Sequence, residues 1–336
     1  MAARGPAHDA RMSIVLPSLP STVQVLVHDW LSANCVVMHD DQHTASVVDT
    51  GHLVRIDTTL AGVRAALGGR RLARIVNTHL HSDHCGGNAG LQRALAPGGA
   101  CRVLVPAGEL QAVNDWDESG LSFVQTGQSA EAFRASAGYA AGEQLWLGGL
   151  PWQVHAAPGH DDHALMLFQP DARILISGDA LWEHGFGVLF PELVGGDGFD
   201  AQRATLRCIE QLAPNWVIPG HGPVFGEVGA ALERADARLQ MFAADPPRHA
   251  AHALRVLLKF HLLECGRALP RAQVQQWFEG TELVQRTVAR HCPGQTVSQV
   301  FLRTLDDLLR VGAALQRGDA LCDPDVAAGA GAPSGA

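Results

Sequence analysis

Three histidines and one aspartate are crowded into six residues, His79-Leu80-His81-Ser82-Asp83-His84, and this stretch constrains the chain more than any other. The apolar residues before it predict the end of a buried strand, so His79 and His81 leave that strand on the same side and can turn toward one ion. Asp83 and His84 follow in a loop, where they can serve a second ion. Imidazole and carboxylate ligands suit Zn²⁺, Fe²⁺ or Mn²⁺, and a pair of such ions can lower the pKa of a bridging water to near neutrality. The stretch therefore predicts a metal site.

Three further candidate ligands lie downstream, each beside glycine or proline where a predicted strand ends. They stand in the segments Pro158-Gly159-His160, Ser177-Gly178-Asp179 and Pro219-Gly220-His221-Gly222. A single loop histidine or turn aspartate is usually structural, whereas an ordered set of this kind is not. Loops at one edge of a sheet can converge, and binding residues concentrate on such loops. The pattern therefore allows His160, Asp179 and His221 to meet the first cluster.

The apolar runs predict a mixed α/β chain. A meander of three strands is predicted first, at residues 23–30, 35–39 and 44–49. Later strands are predicted at residues 74–77, 101–105, 144–147, 152–156, 164–168, 173–177 and 216–219. Helices are predicted between them, at residues 59–67, 88–95, 130–137 and 200–212. This order indicates a mixed sheet with helices outside it.

The length of the chain predicts more than one structural unit. Because 336 residues exceed a typical single domain, we expect a large catalytic domain at residues 21–245 and a smaller unit at residues 246–322. Asp245-Pro246-Pro247 marks the boundary, and the leucines beyond it recur at helical spacing. Residues 1–20, which are rich in proline, are expected to be poorly ordered, and residues 323–336, rich in alanine, glycine and proline, to be disordered.

Cysteine usage and charge indicate the cellular compartment and argue against some classes of binding partner. The seven cysteines are scattered and never spaced as Cys-x-x-Cys, which favours a reduced, cytoplasmic location. No signal-peptide core forms, because Pro17 and Pro20 break the first apolar run, and no apolar run is long enough to span a bilayer. The net charge of −9 argues against nucleic acid as the main partner. The charge is uneven, however: residues 246–322 carry ten Arg/Lys against six Asp/Glu, and residues 1–245 carry fifteen against twenty-six.

The clustered residues resemble the ligand motifs of the metallo-β-lactamase superfamily of hydrolases. All seven ligand positions of that family are present in the right order, and the resemblance covers roughly residues 20–245. It implies a four-layer αββα sandwich of two mixed sheets with helices outside, and an active site at one rim of the sandwich. It also implies that residues 246–322 form the small helical or winged-helix-like domain that one branch of these hydrolases carries.

The resemblance assigns a role to each ligand. His79, His81 and His160 would hold one divalent ion, Asp83, His84 and His221 would hold a second, and Asp179 would bridge them. The ions would most often be Zn²⁺, with iron or manganese as alternatives. A hydroxide shared by the two ions would attack the substrate, while Asp83 or Asp179 moves a proton. Asp49 resembles the outer aspartate that orients a ligand imidazole, and Cys85 is expected only to pack.

The stretch after Asp179 is expected to overhang the metals and line the substrate site. It offers Trp182, His184, Phe186 and Phe190 and contains no arginine or lysine. An apolar overhang without cations favours an acyl chain or a ring. Our leading hypothesis is therefore a cytoplasmic dinuclear metallo-hydrolase that cleaves a carbonyl ester or thioester of a small, partly apolar molecule.

Other functions remain open at this stage. A phosphodiesterase or endoribonuclease of the same fold is favoured by the basic residues 246–322 and opposed by the acidic body. A lactonase is another alternative, although the tyrosine that lactonases of this family place after the bridging aspartate is replaced by Trp182. The basic pattern that glyoxalase II relatives use to hold glutathione is absent. A redox or binding scaffold without hydrolysis is the remaining class. The C-terminal unit could act as a lid, as the contact of a homodimer or as a nucleic-acid binder.

Overall fold

The computed structural model describes residues 19–324, and the chain begins there with a six-stranded sheet. Its strands lie side by side in chain order: β1 (Val23–Leu26), β2 (Cys35–His39), β3 (Thr44–Val48), β4 (Arg71–Val76), β5 (Arg102–Pro106) and β6 (Ala137–Tyr139). The first three strands pair antiparallel, as the predicted meander requires. Strands β3 to β6 are parallel, because helical or loop crossovers return the chain between them.

Five helices accompany this sheet: α1 (Ile56–Leu67), α2 (Ser82–Cys85), α3 (Asn88–Leu95), α4 (Leu110–Asp115) and α5 (Phe123–Thr126). The prediction of a helix at residues 130–137 is wrong, since strand β6 occupies its end and the rest has no regular structure. The alanines there favour a helix locally, but pairing with β5 outweighs that preference. Tyr139, on β6, is buried and donates a hydrogen bond of 2.7 Å to the Asn77 carbonyl oxygen beside the ligand loop.

The second sheet has five strands in the order β11-β10-β9-β8-β7. They are β7 (Gln144–Leu147), β8 (Leu150–Ala156), β9 (Leu165–Gln169), β10 (Ile174–Gly178) and β11 (Trp216–Pro219). Consecutive hairpins make the first four antiparallel, whereas β11 runs parallel to β10. The helices that accompany this sheet are α6 (Phe190–Leu193), α7 (Gly198–Leu212) and α8 (Val228–Ala244), and α7 is the crossover between β10 and β11.

The two sheets face each other across one apolar core, and this arrangement confirms the predicted αββα sandwich. The inner layer joins Val36 and Val76 of the first sheet to Trp152, Leu167 and Ile176 of the second. A separate cluster packs α1 and α3 on the outer face of the first sheet, and another packs α7 and α8 on the second. Each fully buried large apolar side chain contributes roughly 1.5–3 kcal/mol of transfer free energy, which favours this layering.

A largely helical region follows the sandwich, as predicted. Its elements are α9 (Pro246–Cys265), β12 (Leu269–Pro270), α10 (Arg271–Gly280), α11 (Glu282–His291), α12 (Val297–Arg310), β13 (Leu315–Arg317) and β14 (Ala320–Cys322). The helices pack around Leu258, Phe278 and Phe301, and the same cluster includes Val188 and Leu193 from the rim of the sandwich. Helix α9 begins directly at Pro246, because Pro246 and Pro247 fit the first turn of a helix.

The predicted domain boundary at Asp245 falls between helices α8 and α9, and the division into domains stays a prediction. The prediction that residues 1–20 are poorly ordered and residues 323–336 disordered concerns segments that lie almost wholly outside the described residues. Within residues 19–324, no helix is both long and apolar enough to cross a bilayer.

Candidate metal centre

The seven predicted ligands lie on four loops at one rim of the sandwich. Each loop follows the carboxyl end of a strand, namely β4, β8, β10 or β11. The loop after β4 supplies four of the seven, since His79 and His81 lie in the extended stretch before α2 and Asp83 and His84 lie within that short helix. His160, Asp179 and His221 follow the other three strands. The loops therefore converge as the sequence pattern allowed.

His79, His81 and His160 form the first group of donors. All three side chains are buried, with at most 7% of any residue exposed. His79 Nε2 lies 3.1 Å from His81 Nδ1, which lies 2.7 Å from His160 Nε2. Such distances leave three ring nitrogens around one point, the arrangement that a single divalent ion needs.

The second group contains Asp83, His84, Asp179 and His221, whose donor atoms lie within 4.8 Å of one another. His221 Nε2 is 3.0 Å from Asp83 Oδ2, and His84 Nε2 is 3.3 Å from Asp179 Oδ1. The other oxygen of Asp179, Oδ2, is 3.4 Å from His160 Nε2 of the first group. The two oxygens of one carboxylate therefore face the two groups, as a bridging ligand would.

The donor set fits divalent cations. His84 Nε2 is buried and has no hydrogen-bond partner among the described residues, although carboxylate oxygens surround it. Lone pairs that face each other in a buried space repel unless a proton or a cation lies between them. Nitrogen and oxygen donors of this kind suit Zn²⁺, Fe²⁺ and Mn²⁺. The cluster therefore indicates divalent metal binding.

The pKa values of the histidines differ between the two groups. Burial lowers the pKa of both His81 and His160 to about 4 and holds that of His79 well below its usual range, so these rings are neutral near pH 7. For His84, burial acts in the same direction, but the carboxylates of Asp179, Asp49 and Asp83 outweigh it and raise the pKa well above the usual value. The field that favours a proton on His84 favours a metal cation in the same place.

Asp49 supports His84 from behind, in the position predicted for it. Its Oδ2 accepts hydrogen bonds of 2.8 Å from His84 Nδ1 and from the Thr78 hydroxyl, and its Oδ1 accepts one of 2.9 Å from the Thr78 amide. A proton held on Nδ1 leaves the lone pair of Nε2 directed at the cluster. His160 is fixed in the same way, because its Nδ1 donates to the Val188 carbonyl oxygen at 2.6 Å.

A cavity of about 300 Å³ opens onto the donor cluster, and all four predicted substrate-lining residues border it. The Trp182 indole N–H donates to Asp179 Oδ1 at 3.2 Å, and the Phe190 ring lies 5.1 Å from the His81 ring. Phe186 is buried in the wall. His184, with 79% of its side chain exposed, borders only the mouth. Cys85 is buried within the apolar cluster of the first sheet, in agreement with a packing role.

Other parts of the cavity wall were not predicted. Helix α9 contributes Val256, Leu257 and Phe260, and helix α8 contributes Arg238. The stretch after Asp179 carries no arginine or lysine, but α8 brings one cation, Arg238, to the cavity wall. No local motif marks these residues, because they reach the cavity only through the packing of α8 and α9 against the rim.

Three comparisons with known proteins relate the chain to one family. The family model described as Metallo-beta-lactamase superfamily matches residues 28–221, which is more than half of the chain. A hydroxyacylglutathione hydrolase from Hyphomonas neptunium (strain ATCC 15444) is 29% identical over 144 residues, or 42% of this chain and 47% of that protein. The human acyl-coenzyme A thioesterase MBLAC2 is 26% identical over 164 residues, or 47% of this chain and 58% of that protein. The chain thus spans about half the length of these curated relatives.

Solved structures show the same fold. A metallo-beta-lactamase family protein from Thermus thermophilus aligns with a TM-score of 0.52 and 18% identity over 90% of this chain and 97% of that one. A beta-lactamase domain protein from Burkholderia ambifaria aligns with a TM-score of 0.52 and 17% identity over 91% of this chain and 96% of that one. Both alignments extend past the sandwich into the C-terminal helical region.

Proposed function

Because the chain belongs to the metallo-beta-lactamase superfamily, we propose that it is a dinuclear metal-dependent hydrolase that cleaves a thioester or carbonyl ester of a small, partly apolar molecule. The observation that carries this proposal is the convergence of seven donor side chains beneath a cavity with an apolar wall. The curated relatives named as a hydroxyacylglutathione hydrolase and an acyl-coenzyme A thioesterase support the thioester as substrate class.

In this proposal the two donor groups hold one ion each. His79, His81 and His160 would hold the first ion and Asp83, His84 and His221 the second, while Asp179, which faces both groups, would contribute to both. Nitrogen-rich donor sets of this kind favour Zn²⁺, with iron or manganese as alternatives. Two divalent ions bound there would polarise a carbonyl oxygen and lower the pKa of a water molecule.

The protein's own side chains then orient the reactants and handle protons. Hydrolysis requires water to lose a proton and the leaving thiolate or alkoxide to gain one. Asp83 Oδ1 accepts no hydrogen bond from the described residues, so we assign proton transfer to that atom, with Asp179 as the second carboxylate. The Trp182 indole fixes the Asp179 carboxylate, and the Phe190 ring packs against His81 and His160 of the first donor group.

A phosphodiesterase or endoribonuclease is the second candidate, favoured by the presence of Arg238 in the cavity wall. Nucleic-acid backbones require a row of cations, however, and bind with an affinity that falls steeply with salt. Arg238 is the only arginine or lysine among the described residues that line this cavity. A single cation in an apolar enclosure suits a small substrate better than a polynucleotide.

The proposal also covers the cellular compartment of the protein and its division into domains. All seven cysteines are free, which supports a reducing compartment such as the cytoplasm. We propose that residues 21–245 form the catalytic domain and that residues 246–322 act as a lid, because α9 supplies part of the cavity wall.

A substrate panel tests the proposal. The metal-reconstituted protein is assayed for kcat/KM with acyl-thioesters, lactones, bis-p-nitrophenyl phosphate and short RNA, with Asp179→Asn as the control for contaminating activity. We expect thioesters or esters to give the highest kcat/KM and the variant to lose most of it. A clear preference for RNA or the phosphodiester over every acyl substrate would replace the thioesterase with the nuclease.

A further inference from the structure

Arg238 brings a positive charge to the cavity wall without a negative partner. It lies on α8, and no carboxylate among residues 19–324 comes within ion-pair distance, 4.0 Å, of its guanidinium. Burial lowers its pKa, but a guanidinium stays protonated in proteins. A half-buried charge without a counter-charge is unfavourable, so its presence in the cavity requires an explanation.

The surrounding residues hold this guanidinium in a defined position. Its Nη2 donates to His252 Nε2 at 2.7 Å and its Nη1 donates to the His184 carbonyl oxygen at 3.4 Å. Its carbon lies 5.5 Å from the centre of the Phe186 ring and 5.3 Å from that of Phe242, so two aromatic rings flank it. Cation–π contacts of this kind orient a guanidinium without neutralising it.

Gly185 leaves the space that the guanidinium occupies. A Cβ at this residue would lie 2.7 Å from Arg238 Nη1, and the backbone φ of +129° is one that favours glycine. Burial, followed by the charge of Arg238, lowers the pKa of His252 to about 3, so its ring is neutral and accepts the hydrogen bond. Only two of the five N–H groups of Arg238 are used by described residues.

The rest of the cavity leaves an anion as the complementary partner. The carboxylates that line it, Asp83 and Asp179, belong to the donor cluster. The wall near α9 is apolar, with Val256, Leu257 and Phe260. A ligand in the cavity therefore meets the donor cluster, the apolar side chains of α9 and a guanidinium without a carboxylate partner.

We propose that Arg238 binds a carboxylate on the acyl portion of the substrate, so that the preferred substrates are ω-carboxyacyl thioesters or esters. This inference rests on the proposed function. The planar fork of arginine matches a carboxylate with two parallel hydrogen bonds. A cavity of about 300 Å³ is at the small end for ligand sites, which suits an acyl group. A phosphate shares this recognition chemistry and is separated from a carboxylate by the test below.

Paired thioesters of one thiol measure the preference. Succinyl and butanoyl thioesters have the same chain length, and only the succinyl group ends in a carboxylate. The ratio of kcat/KM for the succinyl thioester to kcat/KM for the butanoyl thioester is compared in wild type, Arg238→Met and Arg238→Lys. We expect the ratio to fall by about 10- to 100-fold in Arg238→Met, the effect of losing a charge-assisted hydrogen bond, and to recover in part in Arg238→Lys. Arg234→Met is the matched control, because Arg234 lies one turn earlier on α8 and binds the same loop at the Glu183 carbonyl oxygen.

A binding measurement separates this inference from the proposed function. Calorimetry with the metal-loaded protein compares Kd for succinate, butyrate and 3-phosphonopropionate, and requires no turnover. If no thioester or ester is hydrolysed but the preference for succinate over butyrate depends on Arg238, the proposed function fails and the carboxylate site stands. The inference is overturned if wild type shows no preference, if Arg234→Met loses the preference as fully as Arg238→Met, or if Arg238→Met weakens binding of the phosphonate more than it weakens binding of succinate.

Discussion

Asn in place of Asp49 would test whether this residue controls metal binding through His84. Asparagine has nearly the same shape and tolerates the left-handed backbone that Asp49 adopts, with φ of 55°. Its side-chain oxygen can still accept the hydrogen bond from the Thr78 amide. Its NH₂ group would then face His84 Nδ1, where the native carboxylate accepts a hydrogen bond at 2.8 Å. Two donors cannot pair, so His84 would move its proton to Nε2 and lose the lone pair directed at the cluster.

The expected loss of metal affinity can be taken from other proteins in which a metal-bound histidine loses its hydrogen-bond partner. Losing such a partner weakens metal affinity by about 10- to 100-fold, which corresponds to about 1.4–2.7 kcal/mol. The loss should fall on the group with Asp83, His84 and His221. The first group should be affected less, because His160 is held by the Val188 carbonyl oxygen and His79 reaches Asp49 only through the Thr78 hydroxyl, 3.1 Å from its Nδ1.

Competitive titration against a chelator gives the two affinities separately. Asp40→Asn is the matched control: Asp40 lies beyond the opposite end of β3 and accepts from the Gly148 amide at 2.8 Å and the Ser46 hydroxyl at 2.6 Å, far from the donors in the fold. We expect Asp49→Asn to weaken one site and Asp40→Asn to weaken neither. Equal weakening of both sites, or an unchanged second site with a lower melting temperature, would refute the orienting role.

Four further outcomes are expected. Asp179→Asn should keep the fold, weaken the second site and lower kcat by roughly 10- to 100-fold or more, as measured by circular dichroism, metal analysis and kinetics; full retention of kcat would contradict the bridging role. Gly220→Ala should displace Asp179, because a Cβ there would collide with Asp179 Oδ1 and lie 2.9 Å from His84 Cε1; metal content should fall, whereas Gly229→Ala, with open space around it, should leave it unchanged. Metal removal should lower the melting temperature, and added metal should raise it with concentration, because ligand binding to the folded state stabilises it; a melting temperature that ignores metal would argue against the site. Phe278→Ala should destabilise the C-terminal helical region by about 3–5 kcal/mol in denaturant unfolding, because this ring is fully buried; a loss below about 1 kcal/mol would contradict its place in that core.

Short-range patterns were sufficient to predict much of the fold and the crowded donors of the first ligand loop. Strand β2, helix α3 and strand β11 have the predicted bounds, because their apolar spacing and their glycine or proline neighbours act within a few residues. The crowded motif from His79 to His84 has few structural explanations besides a metal site, so its spacing alone indicated the donors.

Long-range packing decided the parts that the sequence did not predict. Strand β6 forms in place of a helix because β5 offers a free edge, and the alanines of residues 130–137 carry no sign of that edge. Strands β13 and β14 are short and pair with each other through a tight turn, so neither has a periodic pattern. Arg238 reads locally as one more exposed arginine of an amphipathic helix. Only the contact of α8 with the loop at His184 and Gly185 brings it to the cavity.

The part of the cavity wall that comes from α8 and α9 has a consequence for engineering. All seven donor residues precede helix α8, whereas Arg238, His252, Val256 and Phe260 come from α8 and α9. In the proposed function, the donor residues and the α8 and α9 side chains that would contact the acyl group therefore lie in consecutive segments of the chain, while Trp182, Phe186 and Phe190 complete the wall from the first segment. Libraries confined to residues 238–260 can be screened for new substrates while every donor codon stays constant, and recombination between relatives downstream of His221 would exchange this part of the cavity wall in a single crossover.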